Sequence, residues 1–335
     1  MDLALIIEWI IKSLILVFTL LTSFAYLTLY ERKALARIQV RVGPNRAGPG
    51  GVFQPVADAV KLIFKEELIP AQAYRLIFIL APIITVIPAL VILAVVPWGS
   101  SITLFGREIF LGLTDINVGV LYIMAIASIS VYGIVLAGWS SNNKYAMLGG
   151  MRSSAQMISY ELALGLAFVG PIMLANSMSL VDIVEAQKKM GWFIIYQPLG
   201  AIIFWVAALA EVNRAPFDMP EAEQELTAGY HTEYSGMKFA LFFMAEYIKM
   251  IAVSAIAATL FFGGYRGPFI DALPWLGPIY LFIKVVLLLF GMIWVRATLP
   301  RVRYDQLMAF GWKILLPAAL ANVLITAVVI VLVGG

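Results

Sequence analysis

Long apolar runs alternate with shorter charged segments along the 335 residues of the chain. Six runs contain no Asp, Glu, Lys or Arg, and each is long enough for a membrane-spanning helix, which needs about 20 apolar residues. Two further runs carry embedded charges, one at Glu246 and Lys249 and the other at Lys284. The pattern predicts an all-α integral membrane protein, a bundle of about eight transmembrane helices. The predicted spans are 8–30, 75–97, 116–139, 155–176, 190–211, 237–262, 275–297 and 312–334.

The composition favours a membrane protein over a soluble domain. Hydrophobic residues make up 62% of the chain and charged residues 13%, whereas charged residues make up roughly 25% of soluble domains. The chain has no cysteine, which excludes disulfides, cysteine-ligated zinc and cysteine-bound iron–sulfur clusters. His231 is its one histidine, so haem ligation by paired histidines is excluded as well. We expect a single polytopic membrane domain over residues 1–335, with the first span retained rather than cleaved as a signal peptide.

Lys and Arg are distributed unequally between the two sides that the alternating spans define. Sixteen lie on one side and four on the other, while Lys12, Lys249 and Lys284 lie in or beside spans. Loops rich in Lys and Arg are retained in the cytoplasm. We therefore expect loops 31–74 and 212–236 to be cytoplasmic, and both termini to face the non-cytoplasmic side.

The first cytoplasmic loop combines a Gly- and Pro-rich centre with an amphipathic stretch. Its glycines resemble the start of a phosphate-binding loop, but Pro49 stands where that motif requires Lys. Apolar residues from Phe53 to Phe64 then follow one helical face, with Asp58 and Lys61 on the other. Such a helix lies along the membrane interface. It is either a simple anchor or a doorway for a lipid-like substrate, and periodicity alone does not separate the two.

The second long loop is acidic, against the basic trend of its side. Crowded carboxylates raise one another's pKa values, so some of them suit proton exchange near neutral pH. The alternative is an ordinary solvated acidic loop. Within residues 211–235 one basic residue, Arg214, opposes six carboxylates. These are Glu211, Asp218, Glu221, Glu223, Glu225 and Glu233.

Ionisable residues inside the predicted spans are the strongest candidates for function. Glu161 lies in the fourth span, Glu211 ends the fifth and Glu246 lies in the sixth. An ionisable group inside a membrane is costly, and it marks a functional site by default. The competing interpretation is structural, because Glu246 and Lys249 share one helix face and can form an ion pair. Lys284 has no partner nearby in sequence, so a group on another helix pairs with it or its side chain extends to the interface.

Four motifs, taken in order, resemble one protein family. They are YERKALARIQVRVGPNRAGPGGVFQPVADAVKLIFKE, GGMRSSAQMISYE, AEVNRAPFDMPEAEQELTAGYHTEYSGM and RATLPRVRYDQLMAFGWKILLP. Together they resemble the H subunit of bacterial type I NADH:quinone oxidoreductase, which is respiratory complex I; the mitochondrial counterpart is NADH dehydrogenase subunit 1. The resemblance extends from about residue 5 to the C-terminus. Gln224 stands where the family usually has a small residue, and Thr227 where it usually has Val.

The resemblance implies functional positions that the composition does not reveal. The quinone-chamber residues of the family match Arg32, Gln39, Arg41 and Asp58. The family also has a path of carboxylates that links quinone reduction to proton pumping. The matching residues are Glu161, Glu211, Asp218, Glu221, Glu223, Glu225 and Glu246, with Arg152 and Arg214 near them and Tyr247 directly after Glu246.

The resemblance also implies a substrate and partners. Quinone is the substrate, and the chain itself binds no redox cofactor, because FMN and the iron–sulfur clusters belong to partner subunits. The expected partners are other membrane and hydrophilic subunits of complex I, especially those of the quinone site and the terminal iron–sulfur cluster, together with membrane lipids. Nucleic acid is not expected at a net charge of +3. The implied location is the inner or plasma membrane of a bacterial cell.

The implied function is that of a non-redox subunit of a proton-translocating NADH:quinone oxidoreductase, a translocase. The subunit forms part of the quinone chamber and couples quinone reduction to proton translocation. One alternative is the equivalent subunit of a related complex that takes electrons from ferredoxin, a deazaflavin cofactor or hydrogen, because the donor site lies in other subunits. The other is a stand-alone proton-coupled transporter, which the long charged loops disfavour because they suit docking to soluble subunits.

Overall fold

The computed structural model describes residues 3–104, 107–218, 228–271 and 273–334, and most of these residues are helical. Two short antiparallel strands, β1 (Ser101–Leu104) and β2 (Arg107–Phe110), follow α3. A π-helical turn, Gly311–Leu315, joins α11 to α12. The helices are α1 (Leu3–Ile38), α2 (Gln54–Ile63), α3 (Arg75–Val91), α4 (Gly119–Ser140), α5 (Lys144–Ala175), α6 (Leu180–Met190), α7 (Phe193–Tyr196), α8 (Pro198–Glu211), α9 (Gly236–Phe261), α10 (Leu276–Thr298), α11 (Tyr304–Phe310) and α12 (Leu316–Gly334).

Within the described residues, seven helical segments are long and apolar enough to cross a membrane. One of them joins α3 to the 3₁₀ turn that follows it, and another joins α11 to α12. The predicted all-α membrane fold is thereby confirmed. The seven segments are Leu5–Ile38, Arg75–Val95, Gly119–Ser140, Lys144–Ala175, Gly236–Phe261, Leu276–Thr298 and Tyr304–Leu332.

The fifth predicted span, 190–211, is interrupted and gives the short helices α7 and α8. Pro198 lacks the amide hydrogen of a continuous helix and disfavours helical geometry at the residue before it; Gln197 accordingly has φ −129° and ψ 52°. The Gln197 side chain bonds Thr326 and Asn322 of α12, at 2.6 and 3.0 Å. The 14 residues of α8 rise about 21 Å, less than the roughly 30 Å of membrane hydrocarbon. Glu211, at the end of this short helix, is therefore inside the bundle, where it is 4% exposed.

α1 continues past the apolar run that predicts it. The predicted span ends at residue 30, whereas the helix extends to Ile38. No Gly or Pro occurs between Leu3 and Gly43, so no residue in this segment has the low helix propensity that would end the helix. Glu31 and Arg32 consequently lie on a regular helix and not in a loop.

α9 lies at the centre of the bundle. It packs against α1, α3 and α10, and it also touches α2, α6 and α8. Every residue from Met250 to Phe261 is buried, as expected of a helix that is apolar on all sides. Glu246 and Lys249 precede this stretch directly, so their side chains enter the interior of the protein.

Glycines allow α3, α4 and α5 to approach closely, as small residues do between membrane helices. A Cβ atom on Gly133 of α4 would lie 2.1 Å from Thr85 Oγ1 of α3. A Cβ atom on Gly138 would lie 2.6 Å from the carbonyl oxygen of Ala146 in α5. The close packing brings the serines of α4 within hydrogen-bonding distance of α5 and α9.

α2 is present where the amphipathic stretch predicts it, and it packs against α1 and α9. Its apolar residues Val56, Val60 and Ile63 are exposed, whereas Asp58 bonds Arg32 of α1. An exposed apolar face is what an interfacial helix presents to lipid. The structure therefore confirms the predicted helix and shows that its apolar face is exposed.

Candidate functional site

Five side chains from α1, α9, α10 and the segment after α8 form a buried network, the Arg214 cluster. Arg214 Nη1 lies 3.2 Å from Glu31 Oε1, and Arg214 Nε lies 2.7 Å from Glu246 Oε1. Tyr247 donates its hydroxyl to Glu31 Oε2 at 2.5 Å, and Arg296 also donates to Glu31. The Arg214 guanidinium stacks 4.3 Å from the centroid of the Tyr247 ring. Two carboxylates and two guanidinium groups thus balance one another.

Burial and ion pairing hold the Arg214 cluster together. Glu31 is 2% exposed and Arg214 5%. Burial alone would lower the pKa of Arg214, but the carboxylates of Glu246 and Glu31 outweigh it and raise that pKa above its ordinary value. The Arg214 Nε–H is not aligned with the Glu246 oxygen, so this contact is an ion pair without a hydrogen bond. Arg214 is therefore permanently charged, with Glu31 and Glu246 as its counter-ions.

A second set of polar side chains, the lysine cluster, lies deeper in the bundle and comprises Lys249, Ser130, Ser128, Glu161 and Glu211. Lys249 Nζ donates to Ser130 Oγ at 2.7 Å, and Ser128 donates to Glu161. Neither oxygen of Glu211 accepts a hydrogen bond from a described residue. Lys249 lies about 20 Å along α9 from its first residue, so this cluster occupies the middle of the bundle.

Two small cavities meet at the lysine cluster. One of about 20 Å³ is lined by Glu246, Glu211 and Lys249 among others, and a second of about 30 Å³ is lined by Glu211, Lys249 and Ser130 among others. Each is larger than the roughly 10–15 Å³ that one water requires. Glu211 and Lys249 line both cavities, so they form a common wall between two spaces that can each hold water.

The quinone positions that the resemblance implies lie on α1, on α2 and just beyond the end of α1. Arg32 Nη1 lies 2.7 Å from Asp58 Oδ2, which ties α1 to α2. Arg41 Nε donates to Gln39 Oε1 at 2.7 Å. Because Arg32 follows Glu31 directly, the Arg32–Asp58 pair adjoins the Arg214 cluster.

The remaining implied positions lie outside both clusters. Arg152 of α5 packs over the ring of Tyr304, 5.7 Å from its centroid. Asp218 pairs with Arg301 at 3.2 Å. Three glutamates of the acidic loop, and the two departures from the family pattern, lie outside the described residues. They are Glu221, Glu223, Glu225, Gln224 and Thr227.

Two expectations about lysines need correction. The local pair of Glu246 with Lys249 is not the arrangement found, because Glu246 pairs with Arg214 while Lys249 donates to Ser130. For Lys284 the sequence predicts a partner on another helix or an extension to the interface. Lys284 instead donates to three backbone carbonyls of the segment after α9, at 2.7, 2.8 and 2.7 Å. This segment turns sharply, so its carbonyls converge on one side chain, which a pattern of residue types does not reveal.

An apolar groove of about 510 Å³ lies between α1, α9 and α10. Tyr26 and Tyr30 of α1, Ile251 of α9 and Val286 of α10 are among its lining residues. Its volume falls in the range of small-molecule pockets, roughly 300–1,000 Å³. Tyr30 directly precedes Glu31, so one end of the groove borders the Arg214 cluster.

These observations define the class of protein first. The chain is a multi-pass helical membrane protein whose interior holds a series of charged side chains, and such residues mark ion and proton pathways in membranes. The chain belongs to the NADH dehydrogenase family, whose family model matches residues 11–327. The family resemblance of the four sequence motifs is thereby confirmed.

Similar proteins cover almost the whole chain. A protein of Syntrophobacter fumaroxidans, named as the second H subunit of NADH-quinone oxidoreductase, is 54% identical over 317 residues, which cover 95% of this chain and 94% of that protein. The H subunit of NADH-quinone oxidoreductase from Thermomicrobium roseum is 52% identical over 324 residues, covering 94% of each. The first H subunit of NADH-quinone oxidoreductase from Geobacter metallireducens is 51% identical over 321 residues, covering 96% of each.

Sequence reasoning missed Glu31, Ser128 and the environment of Lys249. Glu31 stands at the predicted end of a span beside basic residues, so hydropathy places it in the loop; the uninterrupted helix propensity up to Gly43 is the signal that would have placed it on α1. Ser128 is uncharged and no periodicity marks it. Its contact with Glu161 depends on how closely α4 and α5 pack.

Proposed function

We propose that the chain is the membrane subunit of a proton-pumping NADH:quinone oxidoreductase, that it forms part of the quinone chamber, and that it couples quinone reduction to proton translocation. The names of the similar proteins support the reaction, and the seven apolar helices support the membrane setting. The chain acts as a non-redox subunit, because the FMN and iron–sulfur clusters that carry electrons belong to partner subunits.

One observation carries this proposal: ionisable side chains follow one another from α2 to the centre of the bundle. The series begins at the Arg32–Asp58 pair, which adjoins Glu31. Glu31 pairs with Arg214, and Arg214 pairs with Glu246. A change of charge near Arg32 acts on the neighbouring Glu31 through space, and from Glu31 direct ion pairs lead through Arg214 to Glu246 of α9.

The series continues through the lysine cluster. Glu246 lies one helical turn before Lys249, and both line one cavity together with Glu211. Glu161 interacts electrostatically with Glu211 and with Lys249. Water in the two cavities would connect these groups by hydrogen bonds, so protons can exchange along the series without large movements of the side chains.

The quinone end of this series lies at α1 and α2. The isoprenoid tail enters from the membrane beside α1, over the exposed apolar face of α2 and the groove that Tyr26 and Tyr30 line. The headgroup passes Arg32 and Asp58 and takes up two electrons from a partner subunit and two protons. The implied positions Gln39 and Arg41 lie at the same end, next to the loop between α1 and α2.

Coupling follows from charge. Taking electrons makes the quinone more negative until protons arrive, and this charge favours the protonated form of nearby carboxylates. A change of one unit in a carboxylate's pKa corresponds to about 1.4 kcal/mol, so larger changes along the series transmit useful work. The acidic segment after α8, which includes Asp218, takes part by changing its arrangement between the oxidised and reduced states.

The distribution of Lys and Arg favours a cytoplasmic location for loops 31–74 and 212–236. Both termini then face the opposite side, with the interrupted α7–α8 pair as the eighth crossing. Hydrophilic partner subunits dock on the cytoplasmic loops, close to the Arg32–Asp58 pair. The chain thus lies in a bacterial plasma membrane, where the soluble electron-transfer subunits meet the membrane subunits of the complex.

The test is a pair of variants, Glu211→Gln and Glu246→Gln, in the assembled complex. Both remove an exchangeable proton while keeping the shape of the side chain. We expect NADH:quinone turnover and proton pumping, measured in membrane vesicles, to fall by about tenfold, which corresponds to about 1.4 kcal/mol on the barrier.

The matched control is Glu108→Gln, an exposed glutamate on β2 outside both clusters. It makes the same chemical change and should leave turnover and pumping as they are in the parent complex. Parental turnover and pumping in both the Glu211 and Glu246 variants would overturn the proposed coupling role.

A further inference from the structure

Lys249 is a half-buried cation of α9 that lies well inside the bundle, and its surroundings are specific. Its ammonium donates to Ser130 of α4 at 2.7 Å, and the Ser130 hydroxyl in turn donates to the backbone oxygen of Ala127 at 2.7 Å. The serine therefore presents a lone pair to the lysine and fixes the direction of its side chain. Neither group is needed to hold Arg214, which has its own counter-ions.

Glu211 approaches Lys249 from a different helix. The positive charge of Lys249 favours the ionised form of Glu211, and a negative charge on Glu211 favours the protonated form of Lys249. Both side chains line both small cavities. Neither Glu211 oxygen accepts a hydrogen bond from a described residue, and Lys249 faces the Glu211 carboxyl group across space that accommodates water.

We propose that Lys249 is the counter-ion of Glu211 and thereby determines whether Glu211, in the middle of the carboxylate series, holds an exchangeable proton. The inference rests on the proposed function and names the residue that regulates it. Lys249 is a positioning residue, because it acts on proton transfer through Glu211 and does not itself contact quinone. The positive charge of Lys249 favours the ionised form of Glu211, whereas a carboxyl group in an apolar interior otherwise retains its proton.

The other titratable groups around Glu211 do not replace Lys249. Glu161 and Glu246 are carboxylates, and they repel a negative charge on Glu211. Tyr230 lines the smaller cavity and is uncharged at neutral pH. Thr85 of α3 and Ser130 of α4 line the cavities but do not titrate. Lys249 is thus the one basic residue among the described lining residues of the two cavities.

The first experiment measures protonation directly, by infrared difference spectroscopy of the purified complex across a pH titration. Protonated carboxyl groups have a C=O band that carboxylates lack, and the band assigned to Glu211 is the one that Glu211→Gln removes. In Lys249→Met we expect the midpoint of this band to move upward by about one pH unit or more. Lys249→Arg, which keeps the positive charge, should stay near the parent midpoint.

The second experiment measures turnover in a double-mutant cycle. Lys249→Met should lower NADH:quinone turnover by about tenfold in the parent background and have little further effect in the Glu211→Gln background, since contacting residues show such non-additivity. Ser254→Ala, a substitution at a buried position on the same helix, controls for general disturbance of α9 and should keep the parent turnover and midpoint.

The outcomes separate this inference from the proposed function. An unchanged Glu211 midpoint in a folded Lys249→Met complex overturns the counter-ion role, whatever the turnover. A shifted midpoint together with parental turnover and pumping in both Glu211→Gln and Glu246→Gln upholds the counter-ion role and overturns the proposed coupling role. Equal losses from Lys249→Met in both backgrounds show that Lys249 acts by another route, which also overturns the inference.

Discussion

The Arg214 cluster and the lysine cluster are adjacent, yet the carboxylates in the two clusters have different surroundings. In the Arg214 cluster the Glu31 carboxylate accepts hydrogen bonds from Tyr247, Arg214 and Arg296. In the lysine cluster neither Glu211 oxygen accepts a hydrogen bond from a described residue, and two cavities that can each hold water adjoin it. One carboxylate is fixed by cations, and the other faces space through which a proton can move.

The surroundings of a buried charged group indicate whether it stabilises the fold or exchanges protons. A carboxylate between two guanidinium groups is costly to protonate, because protonation gives up both ion pairs. A carboxylate with one nearby ammonium and few hydrogen bonds has protonated and ionised forms that are closer in free energy. We therefore propose that the first cluster anchors α1, α9 and α10 and relays changes of charge through Glu246, and that the second cluster exchanges protons.

The largest effect is expected from breaking the Arg214 cluster. Arg214→Met leaves Glu31 and Glu246 buried with less compensating charge, and loss of one partner in a buried ion pair destabilises a protein by about 3–5 kcal/mol. The melting temperature and the yield of assembled complex should both fall. Arg303→Met is the control, because its side chain is 76% exposed in a surface pair with Asp305, and such pairs contribute little. A parental melting temperature for Arg214→Met would contradict the anchoring role.

A smaller effect on stability should distinguish the Glu31 carboxylate from the Glu211 carboxylate. Glu31→Gln weakens hydrogen bonds to two arginines, and charged hydrogen bonds of this kind contribute about 1.5–3 kcal/mol. Glu211→Gln removes a carboxyl group that accepts no hydrogen bond from a described residue, and Lys249 keeps its hydrogen bond to Ser130, so this variant should lose less stability than Glu31→Gln while its turnover falls. The melting temperatures of the two purified variant complexes check this. Equal destabilisation would mean that both clusters are structural.

The smallest effect concerns the approach of quinone to the Arg214 cluster. Val286→Trp places a larger side chain in the groove between α1, α9 and α10. It should raise the KM for a long-tailed quinone about three- to tenfold, a loss of roughly 1 kcal/mol in binding, and change the KM for a short-tailed analogue less. Leu287→Trp is the matched control, since Leu287 is its neighbour and is 64% exposed. An equal rise in the KM for the long-tailed quinone in both variants would contradict a role of the groove in the quinone path.

Much of the fold was predictable from the sequence because apolar runs are directly visible in it. The helical membrane class and the amphipathic helix α2 were found where the patterns predict them. The interruption at Gln197 was not expected, although Pro198 marks its position. The continuation of α1 beyond residue 30 was also not expected, since charged residues ended the hydrophobic signal but not the helix.

The candidate site was predictable only in part. Glu161, Glu211 and Glu246 stood out because charges are rare in apolar runs, and all three lie in the interior or line its cavities. Arg214 stood out as well, but its pairing with Glu31 and Glu246 did not, and Ser128 did not stand out at all, because these contacts join distant parts of the chain. A local sequence pattern does not reveal which distant residue a side chain contacts in the folded protein.

The sequence by itself determined that this protein is a helical membrane protein, and its motifs determined the family to which it belongs. Both depend on local information, namely the length of apolar runs and the order of residues within motifs. Only the tertiary structure decided that Glu31 pairs with Arg214 and Arg296, and that Lys249 faces Ser130. The physical reason is that the state of a buried charge depends on the groups within a few ångströms of it, and helix packing, not sequence distance, determines which groups those are.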